Sequence, residues 1–150
     1  MGLPEIRRVT VDEILPLRSA VLRGGGPLER ALLPGDAEGL GVHWGTWLGG
    51  LLVACVSLYE VASGDGVKST QLRGMATAPE LRNQGLGGAL LSVAIEDWEA
   101  RDDAVRPLWC NARIRAVPFY ERHGFVGEGE PFVFPGVGEH LRMTYVGGSL

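Results

Sequence analysis

The chain has 150 residues, with 14 basic and 18 acidic side chains and a formal net charge of −4. A domain commonly takes about 150 residues, so the length predicts a single domain over residues 1–150. The acidic balance disfavours nucleic acid as a partner. The longest apolar stretch, Trp47 to Tyr59, contains two glycines and is shorter than the ~20 residues that span a bilayer, so no membrane partner is expected.

The two cysteines, Cys55 and Cys110, lie within apolar runs and do not form a CxxC pair. This placement predicts free, buried thiols in a reducing compartment, and no metal site is expected. The first ten residues lack the charged block and apolar block of a signal peptide. The sequence therefore predicts a cytoplasmic protein.

The first forty residues predict a strand and a helix. Glu5 to Val9 favours a strand, and Thr10 to Glu13 has the pattern of a capping box, which predicts a helix start. Pro16 removes one amide, which leaves two interpretations: one helix, or a turn followed by a helix. The glycines at 24–26 end this segment, and a second short helix is expected over Leu28 to Leu33.

A meander of three strands is expected next. Val42 to Leu48 alternates along one face, Gly49 and Gly50 supply a two-residue turn, and Leu51 to Tyr59 is a continuous apolar run typical of a buried strand. After a second glycine turn, Lys68 to Thr77 predicts the third strand.

The remaining residues predict two helices and several strands. From Leu86 the apolar residues follow a helical period as far as Trp98. A strand follows at Leu108 to Cys110, and then a helix over Ile114 to His123. Further extended segments are expected at Phe125 to Val126, Phe132 to Phe134 and His140 to Val146. This order predicts an α/β fold in which helices cover a mixed sheet.

A glycine-rich turn joins the third strand of the meander to the next helix. Its residues Gly85, Gly87 and Gly88 have no Cβ, and the first amides of the helix have no partner within it, so the turn is suited to phosphate oxygens. Arg82 adds a charged donor. No Gly-Lys-Ser/Thr follows, as a P-loop requires, and the third glycine of the dinucleotide fingerprint is missing. The alternative is close packing of the helix on the strand.

Two motifs carry a family resemblance. Arg82-Asn83-Gln84-Gly85-Leu86-Gly87, preceded by Met75 to Glu80, resembles the Arg/Gln-x-x-Gly-x-Gly/Ala signature of the GNAT superfamily of acyl-coenzyme A dependent N-acyltransferases. About thirty residues later, Ala116 to Phe125 resembles that family's Ala-x-x-Phe/Leu-Tyr-x-x-x-Gly-Phe helix. The resemblance covers Leu51 to Phe125 well, the first fifty residues only in the order of their elements, and the last twenty-five residues loosely.

The resemblance implies an acyl-CoA N-acyltransferase fold: a mixed, mostly antiparallel central sheet with helices on both faces and a splayed pair of parallel strands, here Gln71 to Thr77 and Leu108 to Ala112. It also implies acetyl-CoA as cosubstrate and a general-acid role for Tyr120, whose alternative is packing beside Phe119. The residues expected to bind the cosubstrate are Met75, Ala76, Thr77, Arg82, Asn83, Gln84, Gly85, Leu86, Gly87, Gly88, Ala89, Asn111 and Phe119.

One position departs from the family pattern. Where the family often has Asn three residues before the alanine of the second motif, this chain has Arg113, and Asn111 stands two residues earlier. Either residue could contact the pantetheine arm if the strand continues. Arg113 and Arg115 have three further interpretations: contact with the adenosine phosphates, contact with an acidic acceptor, or plain solvated charge.

The proton acceptor is left open among Glu60, His43, His140 and a chain of water molecules. Glu60 is expected to be a solvated strand end and His43 a half-exposed strand residue. His140 is a candidate acceptor-site residue, presented by the glycine-rich segment from Pro135 to Gly138. His123 is expected to interact favourably with its helix C-terminus.

The sequence predicts an acetyltransferase that acts on a small-molecule or peptide amine. Candidates for an acceptor pocket are Arg18, Arg23, Trp44, Trp47 and the strand from Phe132 to Phe134. The alternative for Trp44 and the phenylalanines is a place in the core. The alternative of another class is a noncatalytic acyl-CoA sensor or interaction module. The family resemblance also implies a homodimer that pairs through the C-terminal strands, Phe132 to Val146.

Overall fold

The computed structural model describes residues 2–147. Within them lie seven strands, three α-helices and three short 3-10 turns, the turns at Leu28–Ala31, Pro79–Leu81 and Ile114–Ala116. The strands and helices are, in chain order, β1 (Glu5–Val9), α1 (Val11–Leu22), β2 (Gly41–Leu48), β3 (Leu51–Ala62), β4 (Lys68–Thr77), α2 (Leu86–Glu99), β5 (Leu108–Arg113), α3 (Val117–Glu121), β6 (Phe125–Phe134) and β7 (Gly138–Tyr145).

The strands form one sheet in the order β1-β2-β3-β4-β5-β7-β6. β4 and β5 pair in parallel, whereas β1 with β2, β2 with β3, β5 with β7 and β6 with β7 are antiparallel. The predicted fold class, a mixed and mostly antiparallel sheet in an α/β arrangement, is therefore confirmed.

The chain divides into two compact units, and the first contains residues up to 59 together with 73–102. Trp44 of β2 lies opposite Val56, and its Nε1 donates to Asp97 of α2 at 2.7 Å. Cys55, the residue before Val56 in β3, points to the other face and packs in a cluster with Ile14 of α1. Helices thus cover both faces of this part of the sheet, as expected.

Helix α1 begins with the predicted capping box. The Thr10 hydroxyl accepts a hydrogen bond from the Glu13 amide at 3.2 Å, and the Glu13 carboxylate accepts one from the Thr10 amide at 2.9 Å. Pro16 lies inside this helix, which runs unbroken from Val11 to Leu22. Of the two interpretations of Pro16, one continuous helix is therefore correct.

The second unit contains residues 60–72 and 103–147. Within the described chain, the parallel register of β4 and β5 joins two residue pairs, Thr70 with Leu108 and Gln71 with Trp109. β5 continues to Arg113 and pairs with β7 up to His140. The predicted strand at Leu108 to Cys110 therefore extends three residues further.

The expected break between two of the strands in this unit is wrong. The segments predicted separately at Phe125 to Val126 and Phe132 to Phe134 form one strand, β6, with a register shift between Glu128 and Phe132. The strand passes through Gly127, where a Cβ would lie 2.7 Å from Leu141 Cδ2, so a residue that favours turns serves close strand packing here.

The helix predicted over Ile114 to His123 is shorter than expected. Residues 114–116 form a 3-10 turn, and α3 spans only Val117–Glu121. Pro118 lies in the first turn of α3, where its missing amide costs nothing. Gly124 follows with φ +89°, and a Cβ there would overlap the carbonyl of Gly147.

Among residues 2–147, no helix has the length and apolar character needed to cross a membrane.

β6 stands at one end of the sheet order and exposes Val126, Val133 and Phe134. Pairing of two chains through this region stays a prediction.

Candidate functional site

The N-terminus of α2 is an uncapped helix end. The helix begins at Leu86, and Gly85 before it adopts a left-handed conformation with φ +80° and forms no side-chain cap. The first backbone hydrogen bond of the helix runs from the Ala89 amide to the carbonyl of the N-cap residue Gly85, at 3.1 Å. The amides of Leu86, Gly87 and Gly88 therefore point out of the helix, with the positive end of its dipole.

The turn before α2 is held open by its backbone. Asn83 has φ +65°, a left-handed conformation that Asn tolerates better than most residues. A Cβ placed on Gly85 would meet nothing within 4 Å, so no neighbouring atom covers the turn at this residue. The side chains of Arg82, Asn83 and Gln84 are exposed beside it. The structure thus places the predicted residues Arg82 to Gly88 together at the uncapped start of α2.

The end of β4 leads directly into this turn. Ala76 is buried and packs in the cluster with Ile14 and Cys55, while Met75 and Thr77 are half-buried. The Ala78 amide donates to the Val53 carbonyl at 2.8 Å, which ties the end of the strand to β3. Since the Ala76 side chain is committed to the core, the strand has chiefly its backbone to offer a ligand.

Tyr120 of α3 is buried in an aromatic cluster. Its ring packs edge-on against Phe119 at 5.2 Å and against Phe125 at 5.3 Å between centroids. Burial, together with the nearby Cys110 thiol, raises the pKa of the Tyr120 phenol well above its usual value. Burial likewise raises the pKa of Cys110 to about 12. Both groups therefore keep their protons at neutral pH.

The two faces of β5 carry different side chains. Cys110 and Ala112 are buried on one face, and Cys110 lies near Tyr120. Asn111 and Arg113 are half-buried on the other face. Because the strand continues to Arg113, Asn111 and Arg113 share a face, and contact of either side chain with the pantetheine arm stays a prediction.

The three candidate proton acceptors differ in environment. Glu60 is exposed and lies 3.8 Å from the Lys68 ammonium, as expected for a solvated strand end. His140 is buried, and its Nδ1 lies 2.8 Å from the Gly138 carbonyl oxygen. The expectation that His43 is half-exposed is wrong, because His43 is 7% exposed and its Nδ1 lies 2.6 Å from the Ser57 hydroxyl.

His123 has a local partner. Its Nδ1 lies 2.8 Å from the Phe119 carbonyl oxygen near the end of α3, and its ring packs on that of Phe119 at 4.7 Å. His123 therefore contacts the C-terminal turn of α3, as expected.

A buried polar network was missed by the sequence analysis. Arg18 of α1 donates to Asp36 at 2.7 Å, to the Ser57 hydroxyl at 2.9 Å and to the Tyr59 hydroxyl at 2.8 Å. Tyr59 in turn donates to the other Asp36 oxygen at 2.5 Å. From the sequence, Arg18 is a candidate only for the acceptor pocket. The available sign was an arginine one helical turn after Ile14, on the apolar face of α1.

The network also lies against β4. Arg18 Nε is buried and has no hydrogen-bond partner among the described residues. Gly74 has φ +66°, and a Cβ on it would lie 2.9 Å from this Nε atom. Arg18 can pack here because residue 74 is glycine.

A family model described as "Acetyltransferase (GNAT) domain" matches residues 52–146, which is more than half of the chain. The chain belongs to the GNAT acetyltransferase family. A curated relative, the "Uncharacterized N-acetyltransferase YitI" of Bacillus subtilis, is 30% identical over 142 residues and covers 93% of each chain. The predicted family is thereby confirmed.

Solved structures share the fold. Escherichia coli ElaA matches with a TM-score of 0.71 and 21% identity, over 96% of this chain and 100% of that one. A predicted acetyltransferase from Clostridium acetobutylicum, whose crystal structure contains acetyl-CoA, matches with a TM-score of 0.67 and 17% identity over 88% and 96% of the two chains. At these identities the likeness concerns the GNAT fold alone.

Residues 2–147 contain no group of three or more His, Cys, Asp or Glu side chains arranged to hold a metal ion.

Proposed function

We propose that this protein is an N-acetyltransferase that moves the acetyl group of acetyl-CoA to a primary amine by direct attack. The observation that carries the proposal is the uncapped start of α2, where the amides of Leu86, Gly87 and Gly88 have no partner within the helix and Arg82 is exposed nearby. Such a helix end binds phosphate groups well, because its free amides and its dipole both favour negative charge.

The residues present fit the diphosphate of coenzyme A. The amides of the turn from Gln84 to Ala89 would hold its oxygens, and the exposed Arg82 would add a charge-assisted hydrogen bond. The backbone of β4 from Met75 to Thr77 would pair with the amide groups of the pantetheine arm, in the manner of an added strand. The short parallel register of β4 supports an open edge further along this strand.

The reaction needs a bond to form between the amine nitrogen and the thioester carbonyl carbon, while the carbon–sulfur bond breaks. A backbone amide of β4 would donate to the carbonyl oxygen as negative charge develops on it. The acceptor must first lose a proton from its ammonium form, because only the neutral amine has a free electron pair.

Tyr120 is proposed to give its phenolic proton to the departing sulfur. Burial keeps this phenol protonated, so it is a donor at neutral pH. Its raised pKa also means that proton transfer is unfavourable before the sulfur gains charge, so the transfer accompanies carbon–sulfur cleavage. The proton released from the new amide nitrogen then restores the phenol through solvent.

The test is a thiol-release assay with the full chain, acetyl-CoA and a panel of primary amines, with the acetylated products identified by mass spectrometry. The proposal expects thiol release that depends on the amine and matches the product in amount. Mass measurement of the intact protein controls for acetylation of Cys55 or Cys110.

Two results would contradict the proposal in different ways. Acetyl-CoA binding without transfer to any amine would favour a noncatalytic acyl-CoA sensor. Absence of calorimetric heat at micromolar protein and millimolar acetyl-CoA would remove the cosubstrate itself.

A further inference from the structure

The face of β5 that carries Arg113 continues across two neighbouring strands. Arg113 lies opposite His140 of β7, and His140 lies opposite Phe132 of β6. Directly opposite residues of antiparallel strands project to the same face, with Cβ atoms about 5 Å apart. Phe134 joins them, with its ring 4.8 Å from that of His140 and 5.2 Å from that of Phe132. We call these four side chains the basic-aromatic patch.

His140 is held in one orientation within the patch. Its Nδ1 lies 2.8 Å from the Gly138 carbonyl oxygen, and since a carbonyl only accepts, Nδ1 carries the hydrogen. The ring stacks on Phe132 at 6.0 Å and meets Phe134 edge-on. In the neutral ring, Nε2 is therefore the free lone pair, turned away from Gly138.

Arg113 has no anionic partner among the described residues. Arg142, on the same face, lies 3.5 Å from Glu128 and stacks over the Trp109 ring at 3.8 Å. Glu128 also accepts a hydrogen bond from Thr144, so this carboxylate is committed. Glu139 alternates to the opposite face of β7 and is exposed.

A half-buried guanidinium without a carboxylate is suited to bind one from solution. Its planar group offers paired donors that match the two oxygens of a carboxylate. The rings of Phe132 and Phe134 add an apolar wall next to it. The patch therefore combines one site for an anion with one site for an apolar side chain.

We propose that the basic-aromatic patch is the acceptor subsite, and that its ligand is a primary amine carrying both a carboxylate and an apolar side chain, as in an apolar amino acid. Arg113 binds the carboxylate, Phe132 and Phe134 contact the side chain, and His140 Nε2 accepts a hydrogen bond from the amine. Tyr120 lies beyond the other face of β5, with Cys110, so acceptor and leaving-group functions fall on opposite faces of that strand. This inference rests on the proposed acetyl transfer.

The experiment compares three acceptors with the full chain and acetyl-CoA: L-phenylalanine, L-phenylalaninol, which lacks the carboxylate, and glycine, which lacks the apolar side chain. We expect L-phenylalanine to exceed each of the others in kcat/KM by about tenfold or more. Arg113→Gln should remove most of the preference over phenylalaninol, chiefly through KM. Arg122→Gln, at an exposed arginine just after α3, should preserve it.

The outcomes separate this inference from the proposed function. Equal use of L-phenylalanine and phenylalaninol by the unchanged protein, or an Arg113→Gln variant that retains the preference, would overturn the carboxylate subsite while acetyl transfer stands. Transfer to no amine at all would overturn both. If Arg113→Gln does not fold, Arg113→Lys keeps the charge but loses the paired donors, and a reduced preference is then expected.

Discussion

Arg18 and Asp36 form a buried ion pair, with Nη1 2.7 Å from Oδ2 and neither side chain more than 1% exposed. The pair joins α1 to the segment between α1 and β2, because Asp36 also accepts from the Leu33 amide at 2.7 Å and Arg18 donates to the Ala31 carbonyl. The network fixes this segment against β3 through Ser57 and Tyr59.

Replacing Asp36 by Ala should lower the free energy of unfolding by about 3–5 kcal/mol, because it leaves the Arg18 charge buried without its carboxylate. Urea unfolding followed by circular dichroism measures the change. Glu38→Ala, at an exposed position two residues away, is the matched control and should change stability little. A loss at position 36 no larger than that of the control would show that the ion pair is not a major support of the fold.

Stability should fall on acidification before the carboxylates titrate. Burial and the Arg18 charge, which outweigh the opposing Asp36 charge, lower the pKa of His43 in the folded chain. The unfolded chain therefore takes up a proton at this residue first, and stability declines as pH falls below the ordinary histidine pKa of about 6.5.

His43→Gln should reduce that decline in stability, as measured by urea midpoints between about pH 7.5 and about pH 5.5.

Asp36 should cause a second loss of stability at lower pH. Burial alone would raise its pKa, but hydrogen bonds from Tyr59, the Leu33 amide and Arg18 hold it below the usual value. That contribution is present above the ordinary aspartate pKa and is lost at still lower pH, also in the variant. An unchanged slope in His43→Gln would contradict the assignment.

Tyr120→Phe should lower kcat by about 100-fold while acetyl-CoA binding is retained, since the ring still packs on Phe119 and Phe125 and only the proton donor is gone. Within the described residues no hydrogen bond ties this hydroxyl, so stability should change little. Single-turnover thiol release measures the rate, and calorimetric titration measures acetyl-CoA binding. Full activity in the variant would exclude the general-acid role.

Gly85→Ala should weaken acetyl-CoA binding by about tenfold, because alanine resists the left-handed conformation that this turn requires, at a cost of about 1–2 kcal/mol. Gly66→Ala is the matched control: its φ is +84° against +80° at Gly85, and neither Cβ would meet an atom within 4 Å. Both variants should lose similar stability, but only the change at Gly85 should alter the dissociation constant. Equal affinities would mean that the turn does not contact the ligand.

Local patterns predicted much of the fold. Thr10 and Glu13 marked the start of α1, and Gly85 marked the start of α2, because capping and left-handed turns depend on a few neighbouring residues. The extent of β6 could not be read in this way. Residues between Glu128 and Phe132 look like a loop in sequence and belong to a strand only because β7 pairs with the residues on either side of them.

Only the local part of the candidate functional site could be predicted from the sequence. The turn from Arg82 to Gly88 is contiguous, so its geometry follows from its own sequence. The Arg18–Asp36 pair spans 18 positions and includes Tyr59 a further 23 residues along, so no spacing rule reveals it. The row of Arg113, His140 and Phe132 likewise depends on the register of three strands.

Amide proton–nitrogen NMR observes the proposed diphosphate site at the backbone amides themselves. In a titration of the isotope-labelled chain with coenzyme A, we expect large, saturating shifts at Gln84, Gly85, Leu86, Gly87 and Gly88. Shifts confined to other parts of the chain, or none at millimolar ligand, would contradict it.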